Sequence, residues 1–159
     1  MSAEALTATM EKLLKLHKSL YEVAVKKTDI IKTGDMDGLN QMLKDEQAHI
    51  AAIGRLENER EKAAISIVPM LESPTVSDCL NILTQPDRLK LEAITKELAE
   101  LVYELKEQNF LNQQLVHHSL QFVNVSMNFL RPQPETMNYG PPAKKKSGKM
   151  NPGIFNSKV

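Results

Sequence analysis

A chain of 159 residues with 42% hydrophobic content and no tryptophan calls for a single core of Leu, Ile, Val, Ala and Met, side chains that favour helices over sheets. The formal net charge is zero, yet residues 1–130 hold 14 Lys/Arg against 19 Asp/Glu while residues 131–159 hold 6 against 1, so the acidic body argues against nucleic-acid binding. No stretch reaches the ~18 apolar residues that span a bilayer, residues 1–10 lack the pattern of a signal peptide, and one cysteine, Cys79, excludes an internal disulfide framework and fits a reducing cytoplasm.

The spacing predicts a first helix over about 2–32, with Leu6, Leu13, Leu16, Leu20, Val23 and Ile30 on one face. Lys27 interrupts that face, and its long stem can carry the charge back to water. Gly34 suits a left-handed helix end and Asp35 the following N-cap. So short a connection makes the second helix antiparallel to the first. That second helix is expected over about 36–68, with a broader stripe through Leu39, Met42, Leu43, Ile50, Ile53, Leu56, Ala64 and Ile67.

Pro69 and Pro74 break the run. A short amphipathic helix is expected over about 75–84, where Thr75 and Asp78 have the spacing of a capping box and Val76, Cys79, Leu80 and Leu83 share a face. Thr84 and Asp87 repeat that spacing before the last helix, about 87–131, which contains neither proline nor glycine and would be roughly 65 Å long. Its first half has an aliphatic coiled-coil seam, Leu91, Ile94, Leu98, Leu101 and Leu105. The seam then turns to Gln108, Asn112, Leu115, Ser119, Phe122, Ser126 and Phe129. A second stripe through Val116, Leu120, Val123, Met127 and Leu130 makes this half apolar on more than one side. It is therefore either buried by its own chain or open to another. Residues 132–159, rich in Pro, Gly and Lys, have too little apolar surface to offset the cost of ordering and are expected to form a flexible basic tail. The fold class expected is all-α: an elongated antiparallel three-helix bundle or coiled coil with a short extra helix and that tail.

Enzyme chemistry finds no footing. Glu46 and His49 match the Glu-x-x-His spacing of carboxylate metal sites, but no second copy exists, because Gln114 and Leu115 stand three residues before His117 and His118. The adjacent histidines point about 100° apart on a helix and cannot chelate one ion. Cys79 has no motif-level base and reads as a small hydrophobe. The lysine-rich run around Ser147 lacks the spaced glycines and flanking elements of a phosphate loop. No catalytic residue, metal or cofactor is expected.

Several of these residues together resemble the FlgN-type flagellar export chaperones. The resemblance spans about residues 5–130 and rests on the aliphatic repeat of the first helix and the Gly34-Asp35 turn. The second helix adds Leu43, Glu46-Gln47, Ile50, Ile53, Leu56-Glu57 and Arg60, and the last adds Leu101, Leu105, Asn109, Asn112, Leu115, Ser119 and Leu120. It implies a cytoplasmic chaperone that binds C-terminal helical regions of the hook-filament junction proteins. Such a chaperone keeps them soluble and unpolymerised and delivers them to the flagellar type III export gate. The cargo contacts would be Asn109, Asn112, Leu115, Val116, Ser119, Phe122, Val123, Ser126, Phe129 and Leu130, with Tyr139 of the Tyr139-Gly140 tail as the residue that docks at the gate. The competing expectation is a homo-oligomeric coiled-coil structural or adaptor protein, and self-association in the absence of cargo is compatible with either.

Overall fold

The computed structural model describes residues 2–130, and the calls on the tail, Tyr139 included, lie outside them. Four α-helices follow in order: α1 (Ser2–Thr33), α2 (Met36–Ile67), α3 (Val76–Ile82) and α4 (Asp87–Leu130). The protein is all-α, with α1, α2 and α4 packed together.

The α1–α2 corner is set by two residues. Gly34 takes φ +71°, a conformation that side chains with a Cβ rarely adopt, and the Asp35 N–H closes back on the Ile30 carbonyl at 3.3 Å. Asp35 then caps α2 by accepting the Gly38 N–H at 2.9 Å. The chain returns antiparallel to α1, crosses the bundle end through α3, and sends α4 up beside α1. Helices α1 and α4 are therefore parallel, as Glu11–Lys90 (3.0 Å), Lys18–Glu97 (2.6 Å) and Thr28–Gln108 pairs show, with an offset of 79 to 80 positions that widens to 84 and 88 where Asn112 meets Thr28 and Ala24.

The capping box of α3 is complete: the Asp78 N–H donates to Thr75 Oγ1 (3.2 Å) and the Thr75 N–H to Asp78 Oδ2 (2.8 Å). The Thr75 hydroxyl, which also donates to Asp78 Oδ2 (2.7 Å), and then the Thr75 N–H hold the Asp78 carboxyl below the usual carboxylate range. The equivalent box expected at Thr84 and Asp87 does not form. Among the described residues no side-chain bond joins the two, and α4 starts instead on backbone bonds from Arg88 N–H to the Thr84 carbonyl and from Lys90 N–H to the Pro86 carbonyl.

Helix α1 is the middle helix. It packs against α2 on one side and α4 on the other, whereas α2 and α4 do not meet along their lengths. That is why α1 buries more than the one face the sequence suggests: Met10, Leu14, Ala24 and Ile31 are buried beside Leu6, Leu13 and Leu20. The densest core lies at the α3 end, where Leu6, Leu13, Ala64, Val68, Cys79, Leu91 and Ile94 converge from all four helices and the connections between them. Cys79 is fully buried there, and burial, with the Asp78 charge adding to it, raises its thiol pKa. At the opposite end the core thins to Leu20, Ala24 and Leu105. Ala64 is the only buried residue within α2, and its first half leaves Met36, Leu43 and Ile50 exposed.

Candidate functional site

The aliphatic half of α4 ends in a polar latch. The Gln108 amide donates to the Thr28 hydroxyl, which donates to Asn112 Oδ1, while Asn112 Nδ2 donates to the Ala24 carbonyl at 2.9 Å. Asn112 is 2% exposed and Thr28 6% exposed, so each member needs the others: a buried amide without partners costs about 1–3 kcal/mol. Asn112, expected among the partner contacts, has both ends of its amide committed to α1 and also borders the larger of two hollows beside α4. The boundary between the two halves of α4 accordingly lies at Asn112, slightly beyond the change at Gln108 and Asn109.

Further along, α4 outruns the bundle. Asn112 is bonded at the level of Ala24 and Thr28, and Ile30, Ile31 and Gly34 share a hollow with Val116, Leu120 and Val123, so α1 ends level with about residue 120 and the last ten or so residues of α4 project roughly 15 Å at 1.5 Å per residue. Its large apolar side chains are mostly exposed, from Met127 at 51% to Phe129 at 86%. Asn109, Leu115, Val116 and Ser126 are half-buried, whereas Ser119, Phe122, Val123, Phe129 and Leu130 are exposed. Residues 108–130 contain no Asp, Glu, Lys or Arg, which no other helix of this molecule approaches. Contiguous exposed apolar surface of this extent is uncommon on a soluble monomer.

Two hollows continue this surface onto the bundle. One, of about 530 Å³, lies over α1 between α2 and α4, with Leu20 on its floor, Ile50 on the α2 side and Val116 and Leu120 on the α4 side. It exists because α2 and α4 stay apart. Its one charged spot is the Lys27–Glu46 pair, where the ammonium meets both carboxylate oxygens (3.1 and 3.0 Å) at 16% side-chain exposure each. Lys27 thus meets a partner in α2 and does not reach bulk water. The second hollow, of about 320 Å³, sits at the α1–α2 corner, where Ile30, Ile31, Met36 and Leu39 face Val116, Leu120 and Val123.

Sequence reasoning placed the site on α4 alone and missed Met36, Leu39 and Ile50. The available signal was the charge-free run 108–130 and an α2 stripe too broad for one neighbour. Glu46 and His49, the pair with metal-like spacing, do not converge: Glu46 holds Lys27, and His49 accepts from the Ser19 hydroxyl at Nε2 (2.8 Å) while Nδ1–H donates to the Asp45 carbonyl (2.6 Å). Among the described residues no group of three His, Cys, Asp or Glu side chains gathers into a metal-sized cluster, and no helix is long and apolar enough to cross a membrane.

Comparison with known proteins adds to this geometry. The family described as FlgN protein matches residues 1–147. A Bacillus subtilis (strain 168) relative, the "Uncharacterized protein YvyG", is 32% identical over 162 aligned residues that span 100% of both chains. No solved structure matches the chain.

Proposed function

This chain belongs to the FlgN family, whose members serve as flagellar export chaperones, and from that premise we propose that it binds C-terminal helical segments of the flagellar hook-filament junction proteins. In this reading it works in the cytoplasm, keeps those subunits soluble and unpolymerised, and delivers them to the type III export apparatus. No catalysis is required: shielding a helix is a binding task.

The observation that carries the reading is the uncharged, exposed projection of α4, flanked by hollows whose walls are Val116, Leu120, Ile50 and Met36. An amphipathic helix recognises such a groove with apolar side chains at helical spacing. The contact residues are then Asn109, Leu115, Val116, Ser119, Phe122, Val123, Ser126, Phe129 and Leu130, with Asn112 supporting them from inside the bundle. Tyr139 is assigned to docking at the export gate, by family resemblance.

The test is titration calorimetry of the full chain with C-terminal fragments of junction proteins. Binding is expected for the wild type. Phe122→Asp is expected to lose at least about tenfold in affinity, the scale of one buried aromatic anchor, while its thermal melt stays unchanged. Full-strength binding by Phe122→Asp would move the site off this face, and absence of binding by the wild type would end the cargo assignment.

A further inference from the structure

We infer that the outer face of α4 is a docking surface for the chain's own C-terminal segment, with Ile154 and Phe155 seated over Tyr103 and Phe110 and the lysines beside them meeting Glu100, Glu104 and Glu107. This face lies on the far side of α4 from Leu98, Leu101 and Leu105, which pack into the bundle. Tyr103 and Phe110 stand two turns apart on one side of the helix and are 65% and 56% exposed. A shallow hollow of about 510 Å³ adjoins Tyr103 between Ala99, Glu100 and Glu104, and a second, of about 530 Å³, adjoins Phe110 beside Val102 and Lys106. Among the described residues α4 packs only on α1 and α3, so no helix covers this face.

Three features select the tail as occupant. The first is charge. Residues 1–130 hold 14 Lys/Arg against 19 Asp/Glu and residues 131–159 hold 6 against 1, so each part carries the counter-charge of the other. Within α4, Lys106 is the one cation between residues 97 and 113. Glu97 is spent on Lys18, whereas among the described residues Glu100, Glu104 and Glu107 join no ion pair. The second is pattern. Ile154 and Phe155 form an apolar pair with Lys149 on one side and Lys158 on the other, the complement of two exposed rings bordered by carboxylates, and Phe155 can meet those rings edge to face. The third is reach. Phe110 lies 20 residues below Leu130, about 30 Å along the helix. Phe155 lies 25 residues beyond Leu130, and an unstructured segment of that length has a root-mean-square span of about 25–30 Å. A tether whose span matches the distance gives the highest effective concentration, in the millimolar range, which a separate protein of the same chemistry would have to exceed.

Neither Tyr103, Phe110 nor the three glutamates belong to the proposed cargo contacts, and the test uses no flagellar protein, so the two readings stand or fall separately. The chain has no tryptophan, and Phe155→Trp in the full chain therefore reports on the tail alone. Its fluorescence is expected to be blue-shifted and shielded from acrylamide at about 20 mM salt, and to approach that of tryptophan in water at about 500 mM, where exposed charges are screened. The blue shift is expected to stay constant from about 1 to 100 µM protein, because the contact is intramolecular. Adding Tyr103→Ser, or Glu104→Lys together with Glu107→Lys, is expected to abolish the shift while thermal melts stay unchanged, since all three sites are exposed. Adding Lys149→Glu and Lys158→Glu to the double lysine variant is expected to restore it. A tryptophan that is water-like at low salt would overturn the proposal, as would a shift that survives Tyr103→Ser or the double lysine variant. A shift that grows with protein concentration, the mark of a second copy, or a charge reversal that restores nothing would overturn it equally.

Discussion

Asn112 occupies the most buried polar position in α4, and both ends of its amide are bonded to α1. Asn112→Ala therefore removes both bonds that tie α4 to this point of α1, leaving the Thr28 hydroxyl and the Ala24 carbonyl to their mutual 3.2 Å bond and the Gln108 end of the latch without its anchor. The expected cost is about 1–3 kcal/mol, read as a melting temperature lower by several degrees in a thermal denaturation curve. Phe122→Asp, at 73% exposure, is expected to change stability by less than about 0.5 kcal/mol. These two seam residues look alike by spacing, and only their neighbours separate the buried one from the exposed one. Cys79 gives a third outcome. Its buried thiol, with pKa raised by desolvation, should react with a thiol reagent at pH 8 far more slowly in the native chain than in denaturant. The linkage sign follows from the raised value: above the unfolded thiol pKa of about 8.5 the unfolded chain ionises first, so this residue's contribution to stability is present below that pH and is lost as pH rises past it.

The helices differ in how far their own sequences define them. Helix α3 has seven residues, too few to persist without its cap and its apolar contacts. Thr75→Ala is expected to lower stability by about 1 kcal/mol, measured by chemical denaturation. Asp78 gives the cap a pH dependence. Because its folded pKa is depressed by the Thr75 bonds, the contribution is present above the unfolded carboxylate value of about 3.9 and is lost as pH falls through the folded value. Amide exchange in α3 should accordingly speed up on acidification before that of α1. Helix α1 shows the reverse of self-sufficiency. Its face of Leu6, Leu13 and Leu20 was legible, but burial of Thr7, Thr28 and Ala24 was not, because a second buried side follows from having neighbours on both flanks.

At the scale of the molecule, the bundle is closed at the α3 end and open at the other, and the open end carries the uncharged projection. A partner held there meets apolar and amide groups, with Lys27 and Glu46 already neutralising each other. Cargo affinity is therefore expected to change by less than about threefold between 50 and 500 mM salt, as measured by titration, since there is little fixed charge for salt to screen. A steep decline with salt would point instead to the acidic outer faces of the helices or to the basic tail as the docking surface.

By itself, the sequence determined that this protein is helical. It also determined where α4 loses its aliphatic seam, because hydrophobic period, capping residues and chain-breaking prolines are local properties. Residues 113–130 were recognisable as apolar on more than one side, but whether they were covered was not. That depended on two nonlocal quantities: the register that ends α1 near residue 120 of α4, and the separation of α2 from α4 that leaves a hollow over Leu20. Both arise from how three long helices share one core. The tertiary structure alone therefore decided that Asn112 is bonded inside the bundle while Val123, Phe122 and Phe129 face outward.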